Sequence, residues 1–173
     1  MGYRVTGMAA SGVSAGGTLA MNLAYGGNSA IPVRFVFELA APTYFVAEDW
    51  GSLMKSDNLG SEEEFYRMMT GKELSAQEYR QEIKKISPTC LVGEDSVPTL
   101  IGYGLKDHCV PADQKEYLID ALEKNGVSYD YVEFPHSNHL LYGDLDKMQT
   151  FMDLSLESVS YTHLRAHETR SNL

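Results

Sequence analysis

The chain has 173 residues, enough for one domain with a sizeable core, and 43% of them are hydrophobic and 22% charged. Its formal net charge of -10 argues against non-specific binding to nucleic acid. There is no apolar run of membrane-spanning length and no signal peptide, which predicts a cytoplasmic protein. Cys90 and Cys109 are too few for a disulfide framework, so we expect reduced thiols.

Predicted strands and helices alternate along the chain. Short apolar runs predict four strands, at residues 3–11, 33–42, 98–104 and 127–134. Helical periodicity and glycine stops predict three helices, at residues 15–25, 112–126 and 143–157. Two serine capping boxes, at Ser61 and Ser75, predict two more helices between the second and third strands. This alternation predicts an α/β fold with a parallel sheet of about four strands and flanking helices.

A glycine-rich turn, GVSAG at residues 12–16, joins the first predicted strand to the first predicted helix. A sharp turn of this kind leaves little room beside its central residue, which explains Gly12 and Gly16. It places the Ser14 hydroxyl at a helix N-terminus, where the helix dipole favours a developing negative charge. The Ala15 N–H points into the same space and is a candidate oxyanion donor. The turn therefore predicts a nucleophilic serine.

An acid and a base follow the last two predicted strands. A serine hydroxyl is a poor nucleophile unless a base takes its proton, and the base needs an orienting acid. Asp107 follows the third strand and His139 the fourth. Working residues of parallel α/β sheets lie just past the carboxyl ends of the strands, so we expect Ser14, Asp107 and His139 to meet there.

Three segments, GVSAGGTLA, PTLIGYGLKDHCVP and FPHSNHLL, together resemble the signature segments of α/β-hydrolase esterases and lipases with a SAGG elbow. The resemblance covers residues 3–157 and implies an incomplete α/β-hydrolase fold in residues 1–158. It implies Ser14 as nucleophile, Asp107 as acid, His139 as base and a small-molecule carboxylic ester as substrate, without a cofactor. A prolyl-oligopeptidase-like peptidase, which shares the catalytic domain and the triad order, is the alternative, and an inactive fragment is a third possibility.

Other residues compete for these roles. His136 precedes His139 in the same loop, but it is nearer to the end of the strand. Asp113 falls in the first turn of a predicted helix, where capping explains it. His108 and Cys109, together with the two loop histidines, suggest a zinc site, but about four convergent ligands are needed and we expect no metal. Neither cysteine opens a helix after a glycine turn, so we expect no cysteine nucleophile.

Residues 43–97 occupy the position where proteins of this kind commonly insert a helical cap over the acyl pocket. Seven large side chains of this segment either line such a pocket or seat its helices on the sheet, and the sequence leaves both interpretations open. They are Phe45, Trp50, Phe65, Tyr66, Met68, Met69 and Tyr79.

The two ends of the chain depart from the resemblance. It implies several strands and a glycine-rich oxyanion loop before the nucleophile, and no HGG-type segment occurs in the sequence. Residues 159–173 resemble the translation of a transposon-based sequencing adapter, which explains the spacing of His163 and His167 without a metal site. We therefore expect a gene fragment that is truncated upstream and ends in a non-native tail, with one bare edge on its first strand.

Overall fold

The computed structural model describes residues 5–56 and 58–168, of which Ser56 and residues 159–168 are described by their backbone alone. The predicted non-native tail, residues 159–173, lies outside the residues whose side chains are described. Its assignment and the domain boundary at residue 158 stay predictions.

The sheet has four strands in the order β1-β2-β3-β4, and every neighbouring pair is parallel. The strands are β1 Met8–Val13, β2 Val33–Leu39, β3 Thr99–Gly104 and β4 Tyr129–Phe134. This confirms the predicted parallel sheet of about four strands. The second strand ends before residue 42 because Ala40 has a φ of 51°, which takes the backbone out of the extended conformation.

Seven α-helices occur in the described part of the chain: α1 Ala15–Tyr25, α2 Gly51–Ser56, α3 Glu62–Thr70, α4 Ala76–Glu82, α5 Pro88–Leu91, α6 Asp113–Lys124 and α7 Leu145–Glu168. The three helices predicted from periodicity correspond to α1, α6 and α7. The short helices α2 and α5 were not predicted, because each is too short to show a helical period.

Of the two predicted capping boxes, the one at Ser75 is complete, and at Ser61 only the serine half is present because the Glu64 carboxylate accepts from the Gly60 N–H instead. Ser61 accepts a hydrogen bond from the Glu64 N–H at the start of α3, and Gly71 ends that helix in the left-handed conformation. Ser75 and Glu78 form the reciprocal capping box of α4. These short-range signals fix the helix ends because each cap satisfies backbone groups that have no partner inside the helix.

Helices cover the two faces of the sheet. Met21 of α1 and Leu118 of α6 are fully buried in one hydrophobic cluster, and Phe151 of α7 is buried in the other. The inner strand β3 contributes to both, with Ile101 on the first face and Leu100 on the second. On β1, by contrast, alternate residues are exposed, and β1 pairs only with β2 among the described residues. The predicted bare edge on the first strand is therefore present in the described residues.

The aromatic side chains of residues 43–97 pack into the first cluster rather than around an open pocket. Phe65, Tyr66, Tyr79 and Trp50 are each at most 4% exposed. The rings of Tyr66 and Tyr79 stack with centroids 4.0 Å apart. Met68, in contrast, is 43% exposed. These contacts favour the interpretation that most of the aromatic residues seat the helices on the sheet, while the role of the segment as a cap stays a prediction.

Gly12 and Gly17 let α1 approach the sheet closely. A Cβ at Gly12 would lie 2.2 Å from the backbone carbon of Gly16, and one at Gly17 would lie 2.7 Å from the Ala41 Cβ. A Cβ at Gly16 would meet nothing within 4 Å in the described residues. The assignment of Gly16 to the crowded part of the turn is therefore wrong. Gly17 takes that role because it lies against β2 and the residues that follow it.

Glu38 of β2 is a fully buried carboxyl group beneath α1. Its Oε2 accepts a hydrogen bond from the Ala41 N–H at 2.9 Å, and its Oε1 has no partner among the described residues. Burial raises the pKa of Glu38 well above its ordinary value, and backbone hydrogen bonds from Ala41 and Gly102 offset only part of this effect.

The first prediction tests the close approach at the turn. We expect Gly12→Ala to lower the midpoint of thermal unfolding by several degrees, because overpacking against rigid backbone costs on the order of 1–3 kcal/mol. Gly16→Ala is the matched control and should leave the midpoint unchanged or slightly higher, since alanine favours a helix. Circular dichroism melting measures both variants. A Gly12→Ala protein as stable as the wild type would contradict the packing of α1.

The second prediction concerns the pH dependence of stability. The unfolded chain releases the Glu38 proton near the ordinary pKa of 4.5, whereas the folded protein holds that proton to higher pH. The folded state then binds more protons, so this group's contribution to stability is lost as the pH rises. We expect the free energy of unfolding in urea to fall less between about pH 5 and about pH 8 in Glu38→Gln than in the wild type. Glu133→Gln, at an exposed position of β4, should keep the wild-type dependence. Equal slopes in the wild type and Glu38→Gln would contradict the raised pKa.

Candidate active site

Ser14 lies in the turn between β1 and α1 and has a strained backbone. Its φ is 54° and its ψ is -130°, a conformation that residues other than glycine rarely adopt. The turn is held on both sides: the Ser14 N–H donates to the Leu39 carbonyl at 2.8 Å, and the Ser14 carbonyl accepts from the Gly17 N–H at 2.9 Å. A side chain on a strained strand-to-helix turn is the geometry of a nucleophile elbow.

Asp107 lies in the loop that follows β3. Its side chain is only 5% exposed, and its Oδ1 accepts hydrogen bonds from the N–H groups of Cys109 at 2.8 Å and Val110 at 3.0 Å. The other oxygen, Oδ2, lies 2.8 Å from His139 Nδ1. The loop therefore fixes the direction of the carboxylate through its own backbone and leaves one oxygen for the histidine.

His139 connects the acid to the serine. It lies in the loop after β4, its side chain is 19% exposed, and its Nε2 lies 3.0 Å from Ser14 Oγ. An ionised carboxylate only accepts hydrogen bonds, so His139 Nδ1–H donates to Asp107. Nε2 is then the unprotonated nitrogen and accepts the hydrogen bond of the Ser14 hydroxyl. The structure thus brings the three predicted residues together in the order serine, histidine and aspartate.

Ala15 is the first residue of α1, directly after the serine. The N–H groups of a first helical turn have no carbonyl partner within the helix, and they carry the positive end of the helix dipole. The geometry is suited to an oxyanion donor. The second donor, which the family resemblance implies in a loop upstream of the nucleophile, stays a prediction.

A polar network that the sequence analysis missed closes the loop carrying His139. Asp144, whose side chain is 4% exposed, accepts hydrogen bonds from the His136 backbone N–H at 2.9 Å, from His136 Nδ1 at 2.7 Å and from the Ser137 hydroxyl at 2.6 Å. Ser137 Oγ accepts in turn from the Gly143 N–H at 3.0 Å. Burial works to raise the pKa of Asp144, but the hydrogen bonds from Ser137 and His136 outweigh it and lower the pKa below the ordinary value. The only sequence signal was an aspartate in the first turn of the helix predicted at residues 143–157, a position that capping also explains.

The competing residues lie elsewhere. The His136 side chain is 72% exposed and bonds to Asp144 rather than to Ser14. Asp113 is an exposed residue that begins α6. One group of possible metal ligands does occur among the described residues, but it consists of Asp107, Cys109 and His139 and includes neither His108 nor His136. The predicted competitors therefore take no part in the hydrogen-bonded chain.

A cavity of about 550 Å³ opens beside the loop that carries His139. Its lining contains none of the three residues of the hydrogen-bonded chain. The lining residues are Lys106, His108, His136, Ser137, Asn138, Leu140, Tyr142 and Gly143.

Solved structures of esterases share this fold. A truncated carbohydrate esterase from gut microbiota matches with a TM-score of 0.65 at 20% identity, over 87% of this chain and 57% of that chain. Esterase B from Lactobacillus rhamnosis matches with a TM-score of 0.72 at 15% identity, over 98% and 58%. A thermophilic esterase from the planctomycete Thermogutta terrifontis matches with a TM-score of 0.63 at 22% identity, over 89% and 55%. The present chain thus has an α/β-hydrolase fold and spans little more than half the length of these structures.

Within the described part of the chain, no helix combines the length and the apolar character that a membrane span requires.

Two further comparisons bear on identity. A search of curated proteins found no match. The sequence profile of the prolyl oligopeptidase family matches residues 4–155, which include the serine turn and the loops with Asp107 and His139. The chain belongs to the prolyl oligopeptidase family of α/β hydrolases.

Proposed function

We propose that this protein is a serine hydrolase of carboxylic esters. Ser14 is its nucleophile, His139 its general base and Asp107 the acid that orients the base. The observation that carries the proposal is the continuous chain from Ser14 Oγ to His139 Nε2 at 3.0 Å and from His139 Nδ1 to Asp107 Oδ2 at 2.8 Å. The likeness to solved esterases supports the choice of an ester as substrate.

The geometry supports a two-step reaction. Ser14 Oγ attacks the ester carbonyl while its proton moves to His139 Nε2, and the carbonyl oxygen becomes an oxyanion beside the Ala15 N–H. The intermediate collapses to an acyl-enzyme, and His139 returns the proton to the departing alcohol. A water molecule then attacks the acyl group, with His139 again taking and returning the proton. Throughout, the buried Asp107 carboxylate stabilises the imidazolium and keeps Nδ1 as the protonated nitrogen.

Peptide hydrolysis is the second candidate function. The match to the prolyl oligopeptidase family favours it, and the same three residues serve both reactions. The reactions differ in the leaving group, since an amine must be protonated as it leaves whereas an alcohol leaves more readily. Comparing the cleavage of p-nitrophenyl acetate with that of a prolyl p-nitroanilide distinguishes the two functions.

The substrate class and location belong to the same proposal. A small-molecule ester is the expected substrate, because the similar structures include a carbohydrate esterase and a thermophilic esterase. The cytoplasm is the expected compartment. Cys90 and Cys109 are both free and exposed, which fits a reducing environment.

We also propose that Asp144 is a positioning residue for His139. The three hydrogen bonds that it accepts come from His136 and Ser137, on the strand side of the loop, while Asp144 itself directly precedes α7. The network therefore ties together the two ends of the segment that carries His139. Holding the imidazole within hydrogen-bonding distance of Ser14 matters because small displacements of a catalytic group reduce rates steeply.

The third prediction tests the nucleophile. We expect a fluorophosphonate probe to label the 173-residue protein at Ser14 and p-nitrophenyl acetate to be hydrolysed, because His139 lies in position to take the Ser14 proton. Ser14→Ala should abolish both reactions. Ser11→Ala, at an exposed position three residues earlier in the same strand and turn, should retain them. Mass spectrometry locates the label. Labelling of the Ser14→Ala protein would refute the assignment, and a folded but unlabelled wild type would show that this chain is inactive.

The fourth prediction tests Asp144. We expect Asp144→Asn to lower kcat for p-nitrophenyl acetate by about 10- to 100-fold with little change in KM, because substrate binding does not depend on where the imidazole points. Asp146→Asn, two residues further along the same segment and exposed, is the matched control and should keep the wild-type kcat. A parallel rise in KM, or an unchanged kcat in Asp144→Asn, would contradict the positioning role.

A further inference from the structure

We propose that Asp107, Cys109 and His139 form a binding site for a thiophilic divalent cation such as Zn²⁺ or Cd²⁺, and that the bound cation inhibits the hydrolase. The inhibitory part rests on the proposed function, whereas the binding part does not. The observation is that one ligand atom from each residue, a carboxylate oxygen, a thiol sulfur and an imidazole nitrogen, all lie within 4.8 Å of one another.

The donor set suits a thiophilic cation. Thiolate sulfur, imidazole nitrogen and carboxylate oxygen are the three ligand types that zinc takes in proteins, at distances of about 2.0–2.3 Å. A thiolate and a carboxylate together carry two negative charges, which balance a divalent cation while the imidazole stays neutral. Three protein ligands leave the fourth tetrahedral position for water, as in open zinc sites. The formal net charge of -10 over the chain adds a favourable long-range field.

The loop after β3 holds two of the three ligands side by side. The Cys109 N–H donates to Asp107 Oδ1, and the next residue, Val110, is buried and donates to the same oxygen. Cys109 itself is exposed, so a cation in solution has access to its thiol. His139 is held against this loop by its 2.8 Å hydrogen bond to Asp107. Only small side-chain movements are needed to bring donor atoms within 4.8 Å to the separations of a tetrahedral site.

Binding of the cation removes the general base, whichever ring nitrogen takes part. If Nε2 binds, the lone pair that accepts the Ser14 proton is occupied. If Nδ1 binds, the single ring proton moves from Nδ1 to Nε2, and the neutral imidazole then no longer accepts a hydrogen bond from Ser14. In both cases the thiol proton of Cys109 is released to solvent as the sulfur–metal bond forms. Through the Cys109 thiolate, a thiophilic cation thus inhibits a reaction in which Cys109 itself takes no part.

Cys90 provides the matched control. It is the second free and exposed cysteine, it lies in α5, and its sulfur is 4.0 Å from the Thr89 hydroxyl. Among the described residues, the group of possible metal ligands contains Cys109 and does not include Cys90. A cation that binds to exposed thiols without a built site would bind to Cys90 as well as to Cys109. Cys109→Ser is a conservative test variant because the backbone N–H that donates to Asp107 is kept.

The binding experiment does not depend on catalysis. The reduced 173-residue protein is titrated with CdCl₂ while the thiolate-to-cadmium absorption is recorded, and with ZnCl₂ in competition with a chromophoric chelator. We expect one cation per chain for the wild type and for Cys90→Ser. For Cys109→Ser we expect loss of the cadmium absorption and at least about tenfold weaker zinc binding. Equal binding by Cys109→Ser and the wild type, or loss of binding in Cys90→Ser, would overturn the site.

The inhibition experiment uses the rate at which a fluorophosphonate labels Ser14. Zinc should slow labelling of the wild type and of Cys90→Ser by about tenfold or more, and a chelator should restore it. Labelling of Cys109→Ser, compared with the same variant without zinc, should be slowed much less. Bound zinc with unchanged labelling would overturn the inhibitory part. If no protein is labelled even without zinc, the proposed function fails, and the binding experiment still decides the site.

Discussion

The hydrogen bond between His139 Nε2 and Ser14 Oγ joins residues 125 positions apart, and the site depends on it. Neither residue reaches the other through local structure. The contact exists because β1 to β4 are all parallel, so the loops that follow the strands emerge at one edge of the sheet. The packing of α1 at Gly12 and Gly17 then fixes where the serine turn lies relative to that edge.

The loops that carry the acid and the base are bonded to each other as well as to the sheet. The Lys106 N–H donates to the Ser137 carbonyl at 2.9 Å, and a Cβ at Gly104 would lie 2.5 Å from that same carbonyl oxygen. Asp107 and His139 thus lie next to a contact between the backbones of their two loops, and this contact is close because residue 104 is a glycine. Asp144 closes the other side of the histidine loop. The 2.8 Å hydrogen bond between acid and base therefore joins two loops whose backbones are also bonded to each other.

Much of this arrangement was predictable from the sequence, because its signals are local. Capping serines, glycine stops and apolar runs each act over a few residues, and they predicted the sheet and the main helices. The three residues of the candidate site were predicted from the GVSAG turn, from the loops that follow two strands and from the family resemblance. The predictions failed where the cause is tertiary. Gly16 and Gly17 look alike in the sequence, and only the position of β2 decides which of them is crowded. The Asp144 network depends on how the loop that carries His139 folds back on itself, and the nearness of Cys109 to His139 depends on how two separate loops meet.

Strain is concentrated where the chemistry is proposed. Of the four residues other than glycine that have positive φ in the described chain, Ser14 and Ala40 follow β1 and β2, and Leu141 lies in the histidine loop. Each such conformation costs on the order of 1–3 kcal/mol and persists only where the surroundings enforce it. Ala40 and Leu141 are at most 2% exposed, so buried contacts supply that enforcement. A fold that only had to be stable would gain by relaxing these turns. These strained turns lie together where the loops after the strands emerge, and such fixed positions are what a preorganised nucleophile, acid and base require.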